Sequence, residues 1–126
     1  MPVSYRIDKR NGLVVIKATG VLTRSEFAET RRRLMSDPDF DPRFSQLADC
    51  TRVTRVTITA GEIRALADTS AFNLDARRAI VAKSDPVFGL ARMFVTVRGL
   101  RGDEGIRVFR DRDQALVWLF KKDEAA

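Results

Sequence analysis

The chain has 126 residues, enough for one substantial core, and its 44% apolar and 32% charged content is that of a globular protein in water. It has no histidine and a single cysteine, Cys50, which excludes imidazole acid–base chemistry, a histidine-assisted Ser or Cys nucleophile, a Cys-rich zinc site and an intrachain disulfide. The net charge of +6 arises from 23 basic against 17 acidic residues, dispersed rather than gathered into a stripe, so nucleic acid is not an expected partner.

Tyr5 and Ile7 alternate with polar residues, as in a strand with one wet face. Asn11-Gly12 is the dipeptide favoured in two-residue hairpins, and Leu13 to Ala18 is nearly all apolar. The chain is therefore expected to open with a β-hairpin whose second, deeper strand ends at Gly20. Thr23 and Glu26 have capping-box spacing. The helix they open runs to about Met35, with Phe27, Ala28, Leu34 and Met35 expected inward. Asp37-Pro38-Asp39-Phe40-Asp41-Pro42 cannot continue it, because each Pro pushes the preceding Asp to extended geometry. This reads as a rigid turn pinned to the core by Phe40 and Phe44. Its carboxylates lack the Gly and distal Glu of a calcium loop, and no metal site is assigned.

A strand over Ser45–Cys50, a Thr-rich connection over Thr51–Ile58 and a helix over Thr59–Ser70 follow. Thr59 and Glu62 form a second capping box, and Ile63, Leu66 and Ala67 are the expected buried face. Arg78–Lys83 is a short apolar strand suited to a sheet centre. Ser84-Asp85-Pro86 starts a third helix, with Asp85 at the cap and Pro86 at the first helical position. Val87, Phe88, Leu90, Ala91, Phe94 and Val95 give its apolar stripe. Gly89 is expected where this helix packs closely on the sheet, and Gly99 and Gly102 mark its exit. Ile106 and Val108-Phe109 form a last strand. Asp111 with Gln114 caps a final helix carrying Ala115, Leu116, Leu119 and Phe120, and Lys121 and Lys122 offset its dipole.

The expected fold class is α/β: a single mixed sheet of about five strands, an opening hairpin and then αβαβαβα with right-handed crossovers, in one domain over residues 1–126. No apolar run approaches the ~20 residues that span a bilayer. The N-terminus has no signal-peptide core, so a cytoplasmic location is expected.

In an open α/β sheet the carboxyl ends of the strands gather on one rim, where ligands and partners bind. The candidate binding rim is Asp49, Thr51, Thr57, Thr59, Ser84, Asp85 and Arg110. Three helix N-termini, with their unpaired N–H groups, would converge on it. Each residue also has a plainer reading. Thr59, Asp85 and Asp111 serve as helix caps. Asp49 is a strand-end turn residue, or an acceptor for Thr51, Thr54 and Thr57. Cys50 reads as a buried small apolar residue. There is no glycine-rich phosphate loop and no acid/base pair of carboxylates, so no catalytic residue and no cofactor are assigned.

Several segments carry a likeness to a known family: Gly20-Val21-Leu22-Thr23, Leu47-Ala48-Asp49, Thr59-Ala60-Gly61-Glu62-Ile63, Arg78-Ala79-Ile80-Val81-Ala82, Phe88-Gly89-Leu90-Ala91-Arg92-Met93-Phe94 and Val108-Phe109-Arg110-Asp111. With the layout from Val3 to Phe120, they resemble the SpoIIAA-like group of the STAS superfamily. These are bacterial relatives of anti-sigma-factor antagonists, grouped by shape with a class of lipid-binding domains. The resemblance implies a regulatory module without catalysis whose partner is another protein. In antagonists a Ser within Asp-Ser-Ser-Gly at the start of the second helix is phosphorylated. The matching place here reads Ile58-Thr59-Ala60-Gly61, without the Asp and with Ala60 at the usual acceptor position, so Thr59, or Thr57, is the candidate phosphoacceptor in its stead. An alternative function rests on the residues themselves. The Val87–Val95 helix and the Phe40/Phe44 loop would line a pocket for a small apolar or anionic ligand. A homodimer is the expected assembly, two-fold dimers being the commonest oligomer.

Overall fold

The computed structural model describes residues 2–121. The opening hairpin is β1 (Val3–Asp8) and β2 (Leu13–Leu22). It is followed by α1 (Arg24–Met35), β3 (Ser45–Val56), α2 (Ala60–Leu66), β4 (Arg78–Val81), α3 (Asp85–Leu100), β5 (Ile106–Phe109) and α4 (Arg112–Phe120). The strands lie in the order β1-β2-β3-β4-β5, with β1 antiparallel to β2 and every other neighbour parallel. This is the expected five-stranded mixed α/β sheet.

Sequential strand order decides where the helices go. A right-handed crossover to the next strand always steps over the same face. Helices α1, α2 and α3 therefore share one face, and α4 packs on the other. Strand alternation then builds two cores. On the α4 face Leu13, Leu47, Ala79 and Val81 pack on Ala115 and Leu119. On the three-helix face Val14 meets Leu34 and Ala18 meets Val87, while Ile63 and Leu66 of α2 meet Phe27, Leu90 and Phe94.

The elements differ from expectation in instructive places. Strand β2 runs past Gly20, which sits at φ +69° beside a register shift, and resumes to Leu22. The expected connection after Cys50 is strand as far as Val56. Thr and Val favour extended backbone, and here they pair with β2 alone: Thr19 with Arg52, Leu22 with Val56. Strand β4 stops at Val81, opposite Asp49. Helix α2 ends at Leu66, not Ser70. In α1 the inward stripe is Phe27, Thr30 and Leu34, while Ala28 lies outside and Met35 is 60% exposed. Ser84, not Asp85, caps α3, accepting from the Val87 N–H at 3.4 Å. A Cβ on Gly89 would meet nothing within 4 Å, so close packing is not its reason. Gly99 lies inside α3, and the turn-out is made at Gly102, at φ +83°. Lys122 lies outside the described residues.

One ionic cluster ties the lower ends of β4 and α3 together. Arg78, 2% exposed, donates to both oxygens of Asp103, with Nη1 2.7 Å from Oδ2. Arg98 Nε donates to the same Oδ2 at 2.9 Å. Gly105 is held beside this cluster: a Cβ there would lie 2.7 Å from the carbonyls of Leu74 and Ala76.

Candidate functional site

Between the sheet and the three-helix layer lies a chamber of about 180 Å³. Its floor follows from register. Gln46, Arg78 and Ile106 lie side by side on β3 to β5, and Ile16, Ala48 and Ile80 form the next row. Helix α1 contributes Phe27, Thr30, Arg31 and Leu34 to the wall, α2 contributes Ile63, and α3 contributes Val87, Leu90, Ala91 and Phe94. Ala18, Ala48 and Ala91 line it where larger aliphatic side chains would close it.

The lining is apolar except at one end. Gln46 stands on the central strand among aliphatic neighbours, and Thr30, 8% exposed, stands in the inward stripe of α1. Among the described residues, neither the Gln46 amide nor the Thr30 hydroxyl hydrogen-bonds to another protein group. Arg31 lies over the Phe27 ring at 5.0 Å and donates to Leu66 O at 2.8 Å and Thr69 Oγ1 at 3.1 Å. Burial, and then the charge of Arg98, hold its pKa below the ordinary arginine value, although it stays cationic at neutral pH.

The expected rim divides into three places. Asp49 lies inside β3, 8% exposed, on the α4 face and not the chamber face. Its Oδ1 accepts from the Thr51 hydroxyl at 2.6 Å and the Thr51 N–H at 3.0 Å, and Arg112 Nε lies 3.5 Å from Oδ2. Burial raises its pKa, but the Thr51 bonds together with Arg112 and Lys17 outweigh burial and leave it below the usual carboxylate value. The second place joins Asp85 and Arg110 at the outlets of β4 and β5. Arg110 Nη1 donates to Asp85 Oδ1 at 2.7 Å and Lys83 O at 3.0 Å, and its guanidinium lies 4.0 Å from the Phe88 ring centroid. The Ser84 hydroxyl is beside them and is occupied as the α3 cap. The third place is the far end of β3, roughly 20 Å beyond Asp49 at the usual rise per residue. There the Thr57 N–H donates to Leu22 O at 3.0 Å. The Thr59 hydroxyl accepts from the Glu62 N–H at 3.2 Å, while Glu62 Oε1 accepts from the Thr59 N–H at 3.0 Å. Three helix N-termini therefore do not converge.

Cys50 lines the chamber, and burial with the nearby Asp49 charge pushes its thiol up to about 11, which favours the protonated thiol at neutral pH. Phe40 and Phe44 do not line the chamber; they pack around Leu34 and Phe72. Of the aromatics expected in a pocket only Phe94 lines it, joined by Phe27 and Phe72. The carboxylates of the Asp-Pro loop go to separate partners: Asp37 to the Tyr5 hydroxyl at 2.8 Å, Asp39 to Lys9 at 3.3 Å, Asp41 to Arg43 at 2.7 Å. Sequence reasoning missed Thr30, Arg31 and Gln46. The available signal was positional, since Thr30 falls three residues after Phe27 and four before Leu34, on the core stripe.

The molecule is thus an α/β protein whose distinguishing feature is an apolar chamber under a three-helix layer. Its fold is SpoIIAA-like. A crystal structure of an uncharacterised DUF3478-family protein from Shewanella loihica PV-4, described as having a SpoIIAA-like fold, is similar to it with a TM-score of 0.57. The match covers 93% of this chain and 91% of that chain at 20% identity. No protein-family model matches the chain, and no curated protein matches it. No helix among the described residues is long and apolar enough to cross a membrane.

Proposed function

We propose that this protein is a non-catalytic binding module whose ligand is a small, largely apolar molecule seated between the sheet and helices α1–α3. The chamber carries this reading. At 180 Å³ it exceeds the engineered apolar cavity of ~150 Å³ that binds benzene. It is smaller than pockets for drug-sized ligands, which begin near ~300 Å³. Unfilled, it leaves its apolar lining without the close contacts that a packed core makes. A ligand in the chamber supplies those contacts. The protonated Cys50 and the absence of histidine support binding without covalent chemistry.

The test is a substitution that fills the space from the protein side. Ala48→Ile adds aliphatic bulk on the floor with a side chain suited to a strand. The expected result is a melting temperature a few degrees above wild type, and loss of the fluorescence that an environment-sensitive apolar dye gains with wild type. Overpacking, seen as a lower melting temperature with dye binding unchanged, contradicts the reading.

A second reading, a phosphorylation-gated contact with a regulatory protein, draws on the exposure of Thr59, Ala60 and Gly61 at the start of α2. A phosphate on Thr59 would face the Glu62 carboxylate, which accepts from the Thr59 N–H, and like charge would open this end of the helix. Pull-down from native lysate with wild type and Thr59→Glu tests it; partners indifferent to the change count against it.

A further inference from the structure

The chamber is polarised along the strands. On β3 its lining comprises Gln46, Ala48, Cys50 and Val56, so it follows the strand direction, which suits a linear chain laid along the strands. At the Val56 end the lining is Leu22, Val56, Ile58 and Ile63, with no polar side chain. At the Gln46 end it includes Thr30, Arg31, Ser70 and Arg78.

Charge at that end does not balance. Arg78 and Arg98 share the single carboxylate of Asp103, and Arg31, within electrostatic reach of Arg98, bonds only to the neutral Leu66 carbonyl and Thr69 hydroxyl. Three guanidinium groups against one carboxylate leave an excess of two positive charges in and behind the chamber wall. Arg78 has no donor to spare: its N–H groups are committed to Asp103, Ser70 Oγ and the carbonyls of Leu74 and Ala76. Arg31 does. Its two hydrogen bonds leave three of its five N–H donors unused. The same chamber is lined by Thr30, whose residue is 8% exposed, and by Gln46 on the central strand, neither side chain bonded within the protein among the described residues. No polar side-chain atom among the described residues is both sealed from solvent and unpartnered, so these donors are open to the chamber and free to meet a ligand group there.

We infer that the chamber takes a linear medium-chain carboxylate, with its head among Arg31, Thr30 and Gln46 and its chain along Ile16, Ala48, Leu90 and Phe94. This rests on the chamber being the ligand site and specifies the ligand's chemistry. A carboxylate accepts from the Arg31 fork, the Thr30 hydroxyl and the Gln46 NH2 together, and its charge offsets the cationic excess. The same groups offer nothing comparable to an ammonium head.

The experiment compares octanoate with octan-1-ol, which share a chain length and differ in the head, by calorimetric titration at neutral pH. Wild type is expected to bind octanoate at least about tenfold more tightly, the scale of one charge-assisted hydrogen bond. Arg31→Gln should bring the two affinities together, mainly by weakening octanoate, and Arg31→Lys should restore part of the preference. If Arg31→Gln does not fold, the near-isosteric pair Thr30→Val with Gln46→Leu serves instead, and should weaken octanoate several-fold more than octan-1-ol. Equal binding of both ligands to wild type overturns the carboxylate inference and leaves the chamber as a ligand site. Binding of neither overturns both.

Discussion

Arg78 opens β4 among aliphatic residues, where a charge is costly unless paired. Asp103 pairs it and Arg98 at once, and the three side chains are 5% exposed or less. Asp103→Asn would leave two buried guanidinium groups without a counter-charge, and a loss of about 3–5 kcal/mol in urea denaturation is expected. The pH dependence follows from the same cluster. Burial raises the Asp103 pKa, but hydrogen bonds and charge from Arg78 and Arg98, with the Gly105 N–H, outweigh burial and leave it below the usual carboxylate value. A depressed folded-state pKa means that its stabilisation is complete above the unfolded value near ~4 and is lost as pH falls through the folded one. Acid titration of wild type should therefore show a stability loss below pH ~4 that is smaller in Asp103→Asn. The Arg78–Asp103 pairing is not legible in the sequence, because the partners stand 25 residues apart. Only the oddity of an arginine opening an apolar strand was visible.

Helix α2 has seven residues, too few to hold itself without packing and caps. Its full capping box, Thr59 with Glu62, was legible from spacing alone, as was the Thr23 cap of α1, whose hydroxyl accepts from the Glu26 N–H at 3.1 Å. Thr59→Ala should cost about 1 kcal/mol. Hydrogen exchange should speed up in α2 first, because Ile63 and Leu66 are its buried contacts. Unchanged exchange across α2 would contradict this. The hairpin itself, the central apolar strands and the helix order are legible because each is set by local chemistry, but the turn is not the two-residue Asn11-Gly12 one: Asp8 pairs with Leu13, and the four residues Lys9 to Gly12 connect them. The outer half of β3 is not legible, because Thr51-Arg52-Val53-Thr54-Arg55-Val56 carries as many charges as a loop and becomes strand only through β2. That extension moves Thr57 and Thr59 away from Asp49 and divides the expected rim.

At the scale of the molecule, sequential strand order with one-handed crossovers makes the two faces unequal. Three helices roof one face and a single helix covers part of the other. A roof of three helices joined by long irregular segments leaves the chamber that a single well-fitted helix would fill. Such a space is a product of packing between distant segments, and periodicity along one segment does not reveal it. The aromatic stripe of α3 hinted at a pocket, but it named Phe88 with Phe94, and only Phe94 lines the chamber.

The central claim is that ligand binds under the three-helix roof and nowhere else. Methyl-resolved NMR titration with octanoate tests it most directly, because the two cores carry different aliphatic residues. Saturable shifts are expected at Ile16, Ile63, Ile80 and Leu90, which line the chamber, with Leu13, Leu47 and Leu119 on the α4 face unmoved. Shifts confined to the α4 face, or no saturable shift at the chamber methyls, would contradict it.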